Sequence, residues 1–352
     1  MKTELLVVLA CAFTLTACDS SDPAVGFTLV SVLPESTAGV VVQDDAVASA
    51  AMTNRICVLD TVNAEVVGDI DPGEQDEVLL DAWGDRALAT DGRELFEIPR
   101  TDLDDGIRNR WRLPVLQAQL SEAGPVVLTD SDGLCGLTWT LNGANTALQI
   151  PGTDCTGTVG LTVERDTGAA WIADGNALAR VTPDGGFTRW DGVSADEVVW
   201  DAHMSQVLFG QLDGGWIQAA DSTGNLLWSR PVGGTLQDIE VAGNSGVSAL
   251  MVDIGDNLND IDLLDSLTGD SVGTHPLPGF ADMAFSDSGT SMALVTPDEV
   301  LFYSVDTDVG MLDVATGITN TPSLSISGGE AGLLGVAGAV LGTAATVAVL
   351  AE

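Results

Sequence analysis

Short apolar runs separated by Gly, Asp, Asn, Pro and Ser, and a turn that returns about every 40 residues, predict an all-β chain. Four strands with tight turns use about 40 residues, the length of one blade, so the predicted class is a β-propeller of four-stranded blades. The count is seven, or eight if the C-terminal segment adds strands, with the ring closed by strands from the two termini.

Composition fits this class. The chain has 352 residues, of which 45% are hydrophobic, so it can bury a substantial core, and 40 glycines serve many turns. The formal charge is −40, from 52 acidic and 12 basic residues, and the sole lysine is Lys2. Such a surface repels nucleic acid and anionic headgroups, which excludes both as partners. It favours solubility, cations or basic partners, and it also suits a solvated surface in a saline environment.

The N-terminus carries Lys2, an apolar run from Leu5 to Leu15, and small residues ending at Cys18. A charged start with a short apolar centre reads as an export signal rather than a spanning helix. Leu15-Thr16-Ala17-Cys18 resembles the bacterial lipobox. The resemblance implies removal of residues 1–17, acylation of Cys18, and a lipoprotein of the bacterial cell envelope held on the membrane and facing periplasm or cell surface. In the tether, residues 18–25, the stretch Asp19 to Ala24 after Cys18 reaches at most about 20 Å at ~3.4 Å per residue. An oxidising compartment follows from export. Cys135 and Cys155 flank a hairpin with its turn near Asn142 to Asn145, which sets them across two strands as a disulfide; Cys57, in an apolar strand, reads as a buried free thiol.

The propeller body is assigned to residues 26–326. Its clearest unit is the hairpin Trp216 to Ala220, turn Asp221-Ser222-Thr223-Gly224, and Asn225 to Arg230. Comparable turns fall at Asp60 to Asn63, Asp102 to Gly106, Asn142-Gly143, Pro183 to Gly185, Asp265 to Gly269 and Asp313 to Gly317, the last interval being longer. Val40 to Val42 and Asp45 to Ala50 are read as separate strands, which leaves Phe27 to Leu33 as a fourth strand without three before it. Such a strand would close the ring. Ala220 to Trp228 resembles the repeat of quinoprotein-like propellers, which implies that Trp228 docks between blades; Phe187 to Trp190 and Trp111 are looser echoes. Phe285 to Thr290 resembles a turn of bacterial periplasmic propellers. No adjacent cysteine pair of the quinoprotein enzymes is present.

Residues 327–352 form an apolar C-terminal segment, with no charge from Ala331 to Leu350. It has two readings. It forms last-blade strands, with Pro322 to Ser327 before them and Phe27 to Leu33 completing an eighth blade, or it forms a hydrophobic helix.

Candidate chemistry is sparse. The two histidines are His203 and His275, and Asp201, His203 and Ser205 on one strand and turn do not converge as a nucleophilic triad. Asp253, Asp256, Asp260 and Asp262, with Asn257 and Asn259, are candidate calcium ligands, though without the order of a dedicated loop; Asp102, Asp104 and Asp105 form a smaller group. Trp139, Trp171, Trp200 and Trp216 read as packing between blades. No catalytic residue and no cofactor other than calcium is expected. The reading is a non-catalytic protein-interaction or scaffold module. The alternatives are a hydrolase or lactonase with a metal at the central channel, or a ligand- or carbohydrate-binding protein. Carboxylates from three or more blades converging at the axis would favour the enzyme.

Overall fold

The computed structural model describes the backbone of strands between Val25 and Val349 and most turns from residue 115 to 278; side chains are described chiefly between residues 81 and 276. The first sheet holds β1 (Val25–Val32), β2 (Gly39–Ala46), β3 (Asn54–Asp60) and β4 (Glu65–Ile70). The second holds β5 (Val78–Trp83), β6 (Arg86–Thr90), β7 (Glu94–Pro99) and β8 (Asn109–Arg112). The third holds β9 (Gln117–Ser121), β10 (Gly124–Ser131), β11 (Leu134–Leu141) and β12 (Ala144–Asp154). The fourth holds β13 (Gly160–Val163), β14 (Ala170–Ala173), β15 (Ala177–Val181) and β16 (Phe187–Asp191). The fifth holds β17 (Glu197–Asp201), β18 (Gln206–Gly210), β19 (Trp216–Asp221) and β20 (Leu226–Pro231). The sixth holds β21 (Thr235–Val241), β22 (Val247–Gly255), β23 (Leu258–Asp265) and β24 (Ser271–Pro278). The seventh holds β25 (Asp282–Phe285), β26 (Ser291–Val295), β27 (Glu299–Asp306) and β28 (Met311–Thr319). A separate pair, β29 (Val336–Leu341) and β30 (Ala344–Val349), forms a two-stranded sheet.

Every described four-stranded sheet is an antiparallel meander of consecutive strands, because each connection is short enough for a hairpin. Neighbouring sheets touch through their first strands: β5 against β9, β9 against β13, β13 against β17, β17 against β21 and β21 against β25. β1 lies against both β5 and β25. The core is a series of layers between successive sheets. Val126, Leu137 and Trp139 meet Leu161, Ile172 and Val181 between the third and fourth sheets. Leu208, Ile217 and Ala219 meet Leu236, Leu250 and Leu264 between the fifth and sixth.

Three expectations change. Phe27 to Leu33 does not close the ring by pairing with a blade from the far terminus. β1 pairs with β2, Phe27 opposite Asp44, as the first strand of its own sheet. The cause is the break read between Val42 and Asp45, at Gln43 and Asp44; Asp44 and Asp45 lie within one strand. They continue β2 in register with Arg55 and Asn54 of β3, so the first sheet needs β1 as its fourth member. The turn expected at Asp313 to Gly317 lies inside β28, where a bulge opposes Phe302-Tyr303. β27 and β28 pair from Asp306 opposite Met311 onward, which restores the spacing of about 40 residues. Among the described residues Val336–Leu341 and Ala344–Val349 are strands that pair only with each other, and β1 belongs to the first sheet, so β1 does not complete an eighth blade with them. Among the described residues no helix is long and apolar enough to cross a membrane. The leader, Cys18, Asp102 to Asp105 and Pro322 to Ser327 lie outside the described residues.

Candidate functional site

Buried polar side chains first serve to lock the sheets together. Trp171 is fully buried and stacks on Trp190 at 5.5 Å and on Trp200 at 6.2 Å, joining the fourth sheet to the fifth. Its indole Nε1 donates to Glu164 Oε1 at 2.9 Å. Burial opposes ionisation of Glu164, but hydrogen bonds from Arg180, Thr167 and Trp171 outweigh it and hold the carboxyl below its usual range. Asp81 of β5 accepts the backbone N–H of Leu120 at 2.6 Å and both Nη atoms of Arg165, which ties the second, third and fourth sheets together near their first strands.

The docking expected of Trp228 is geometric fact, and it repeats. Trp228 Nε1 donates to Ser266 O of the next sheet at 3.0 Å. A Cβ on Gly269 would fall 2.7 Å from the Trp228 ring, and one on Gly224 would fall 2.0 Å from Trp190, so each turn glycine lies on the tryptophan of the preceding sheet. The Asp221 turn is closed by its own side chain. Oδ1 accepts from Thr223 N, Thr223 Oγ1 and Asn225 N, and Oδ2 from Asn225 Nδ2, which keeps this carboxyl far below its ordinary pKa.

The residues singled out for chemistry separate. Asp201 is buried and its Oδ1 accepts Met204 N at 3.0 Å, whereas His203 and Ser205 are exposed on the turn. His275 lies on β24 opposite Ile261. Of the calcium candidates, Asp253 is exposed and accepts Gly255 N at 2.7 Å, and Asp260 sits on β23 opposite Val252. Asp262 is held by Arg230 Nη2 at 2.8 Å and by Ser271 Oγ. Asp256 lies outside the described residues. Among the described residues no group of three or more His, Cys, Asp or Glu could hold a metal ion. Cys135 and Cys155 are joined by a disulfide with Cα atoms 5.2 Å apart, where β12 carries extra residues between Gln149 and Asp154.

The face on which the first strands begin, here the entry face, is distinctive in the fifth and sixth sheets. Glu197 starts β17 and Asp238 lies on β21; both are half-buried, and among the described residues no basic side chain pairs with either. Burial, then the charges of Asp238 and Asp196, push the Glu197 carboxyl up to about 8. Burial pushes Asp238 up as well. The carboxylates gathered here come from two sheets; the first-strand Asp81 of the second sheet is already matched by Arg165.

Around this pair lie exposed apolar side chains. Trp216 opens β19 and is 58% exposed, contrary to the packing role expected for it. It stands at the sheet's end opposite Pro231 and so cannot reach the layer that buries Ile217. Ile254 is the penultimate residue of β22 and Leu258 opens β23, both exposed on the same face. Leu134 holds the same place as Trp216 and Leu258, the first residue of a third strand, in the third sheet. Sequence reasoning missed this face because Glu197 and Asp238 are on different sheets and exposure of a strand's first residue depends on the loop beside it.

No family model matches the sequence, and no curated protein does either. Solved structures do. Hsv2 of Kluyveromyces lactis aligns at TM-score 0.59 with 10% identity, over 84% of this chain and 99% of that one. The β-propeller domain of Cps50 (Swd1) from Myceliophteria thermophila aligns at 0.55 with 10% identity, over 76% and 95%. A Bacteroides fragilis protein provisionally assigned as a 6-phosphogluconolactonase aligns at 0.57 with 12% identity, over 85% and 96%. The fold is a β-propeller. Identities this low speak for the fold alone.

Proposed function

We propose that this chain is an exported, lipid-anchored β-propeller that works without catalysis as a protein-interaction or scaffold module of the cell envelope. Its seven sheets form one ring, supported by the contact of β1 with β25. Cys18 carries the lipid, supported by Leu15-Thr16-Ala17-Cys18. The observation that carries the interaction reading is the entry face of the fifth and sixth sheets, where Trp216, Ile254 and Leu258 stay exposed beside carboxylates. Aromatic residues left outside a rigid scaffold are the usual anchors of an interface.

The test has two arms. Radioactive palmitate labels the wild type and not the Cys18→Ala protein; a Cys18→Ala protein that still takes label removes the anchor. From solubilised envelope, one protein co-purifies with the wild type and with Leu267→Asp on the opposite face, but not with Trp216→Asp. Equal recovery by all three removes the entry face from the account. A hydrolase reading rests on the Glu197 and Asp238 pair, whose raised pKa values suit proton transfer. Ester or lactone turnover that is lost in Glu197→Gln would replace the binding reading.

A further inference from the structure

We infer that the entry face of the fifth and sixth sheets docks a positively charged polypeptide segment, with a lysine or arginine set against Glu197 and Asp238 and an apolar side chain laid on Trp216 and Leu258. The inference rests on the interaction reading above and adds the chemistry of the partner.

Two independent features meet there. The first is apolar. Trp216 and Leu258 take the same position in adjacent sheets, and Ile254 lies next to the end of the strand that pairs with β23, so large exposed side chains repeat around one sector. On the opposite face the exposed Leu226 and Leu267 sit at the turns between third and fourth strands, on the outer rim and away from the first-strand carboxylates. The second feature is charge. Glu197 and Asp238 lie on adjacent first strands, Asp196 beside them accepts Leu212 N at 2.6 Å, and Asp213 and Asp253 are exposed on the same face. The basic side chains described near strand ends on this face are already matched: Arg189 by Asp174 and Asp191, Arg110 and Arg112 by Glu94, and Arg230 by Asp262. What remains is negative charge with apolar surface around it.

Charge complementarity selects the occupant. A second copy brings another −40, and nucleic acid or an anionic bilayer is repelled for the same reason. A cationic segment set against Glu197 and Asp238 favours their ionised forms, which burial and their proximity oppose, and a guanidinium or ammonium over the exposed Trp216 ring gains a cation–π contact. Arginine already stacks on aromatic rings in this chain, as Arg110 does on Phe96 at 4.7 Å.

Fluorescence anisotropy with three labelled peptides of equal length tests this on the folded, delipidated chain. One alternates Arg or Lys with Leu and Phe, one keeps the basic residues and replaces the apolar ones by Ser, and one keeps the apolar residues and replaces the basic ones by Glu. The first binds at least about 10-fold more tightly than the others. Trp216→Ala weakens it by roughly 10-fold, and the Glu197→Gln/Asp238→Asn double variant by a similar factor; Leu267→Ala leaves it unchanged. Equal binding of the two basic peptides, or no loss in either variant, overturns the docking site and leaves only general attraction to an acidic surface. If Trp216→Asp abolishes co-purification but the captured protein's contacting segment is acidic or neutral, the module reading stands and the cationic partner is wrong.

Discussion

Glu197 shows how one residue links fold and function. Its folded carboxyl titrates near 8, far above the ordinary glutamate range near 4.5, because burial and the neighbouring Asp238 and Asp196 disfavour its charge. A raised folded value means that the native state holds the proton while the unfolded chain releases it. The stability from this group is therefore whole below about pH 4.5 and is lost progressively as pH rises through 8. Glu197→Gln should be more stable than wild type at pH 8, by roughly 1–2 kcal/mol, with the difference vanishing near pH 4; thermal melts across that range check it. Trp171, by contrast, is purely structural. Trp171→Ala removes a fully buried ring stacked on two others and takes one donor from the Glu164 carboxylate, which Arg180 and Thr167 still hold, so a loss of about 3–5 kcal/mol is expected in denaturant titration.

At the scale of elements, the hairpin between third and fourth strands was the legible unit. Asp at its start and Gly at its end announce the turn, and Gly224 has φ +83°, a conformation that glycine adopts without strain. Gly224→Ala meets both that backbone and the Trp190 ring, and a cost of about 2 kcal/mol or more is expected from chemical unfolding. The disulfide was legible for the same reason, since Cys135 and Cys155 flank one hairpin. Reduction, or Cys135→Ser with Cys155→Ser, should cost about 3 kcal/mol for a loop closed across 20 residues. Acidic residues misled where they sit inside strands. Asp44, Asp45 and Asp313 have turn-forming chemistry, and the sheet context overrides it. That single override produced the orphan first strand and the misplaced last turn.

At the scale of the whole molecule, the repeat could be read because every sheet spends a similar length of chain. Contacts between sheets could not. Arg165 and Asp81 are 84 residues apart, and the pairing of Glu197 with Asp238 appears only when β17 and β21 lie side by side. A charge of −40 on one ring predicts self-repulsion, so the melting temperature should rise with added sodium chloride until the field is screened, near a few hundred millimolar. The face that carries Trp216 is the working part of this account, and site-specific photo-crosslinking in intact cells tests it most directly. With a photoreactive residue at Leu258, a single polypeptide should be captured and its crosslinked peptide should be rich in lysine or arginine, while the same residue at Leu267 on the opposite face should capture nothing. Capture of the same protein from both positions, or from Leu267 alone, would contradict it.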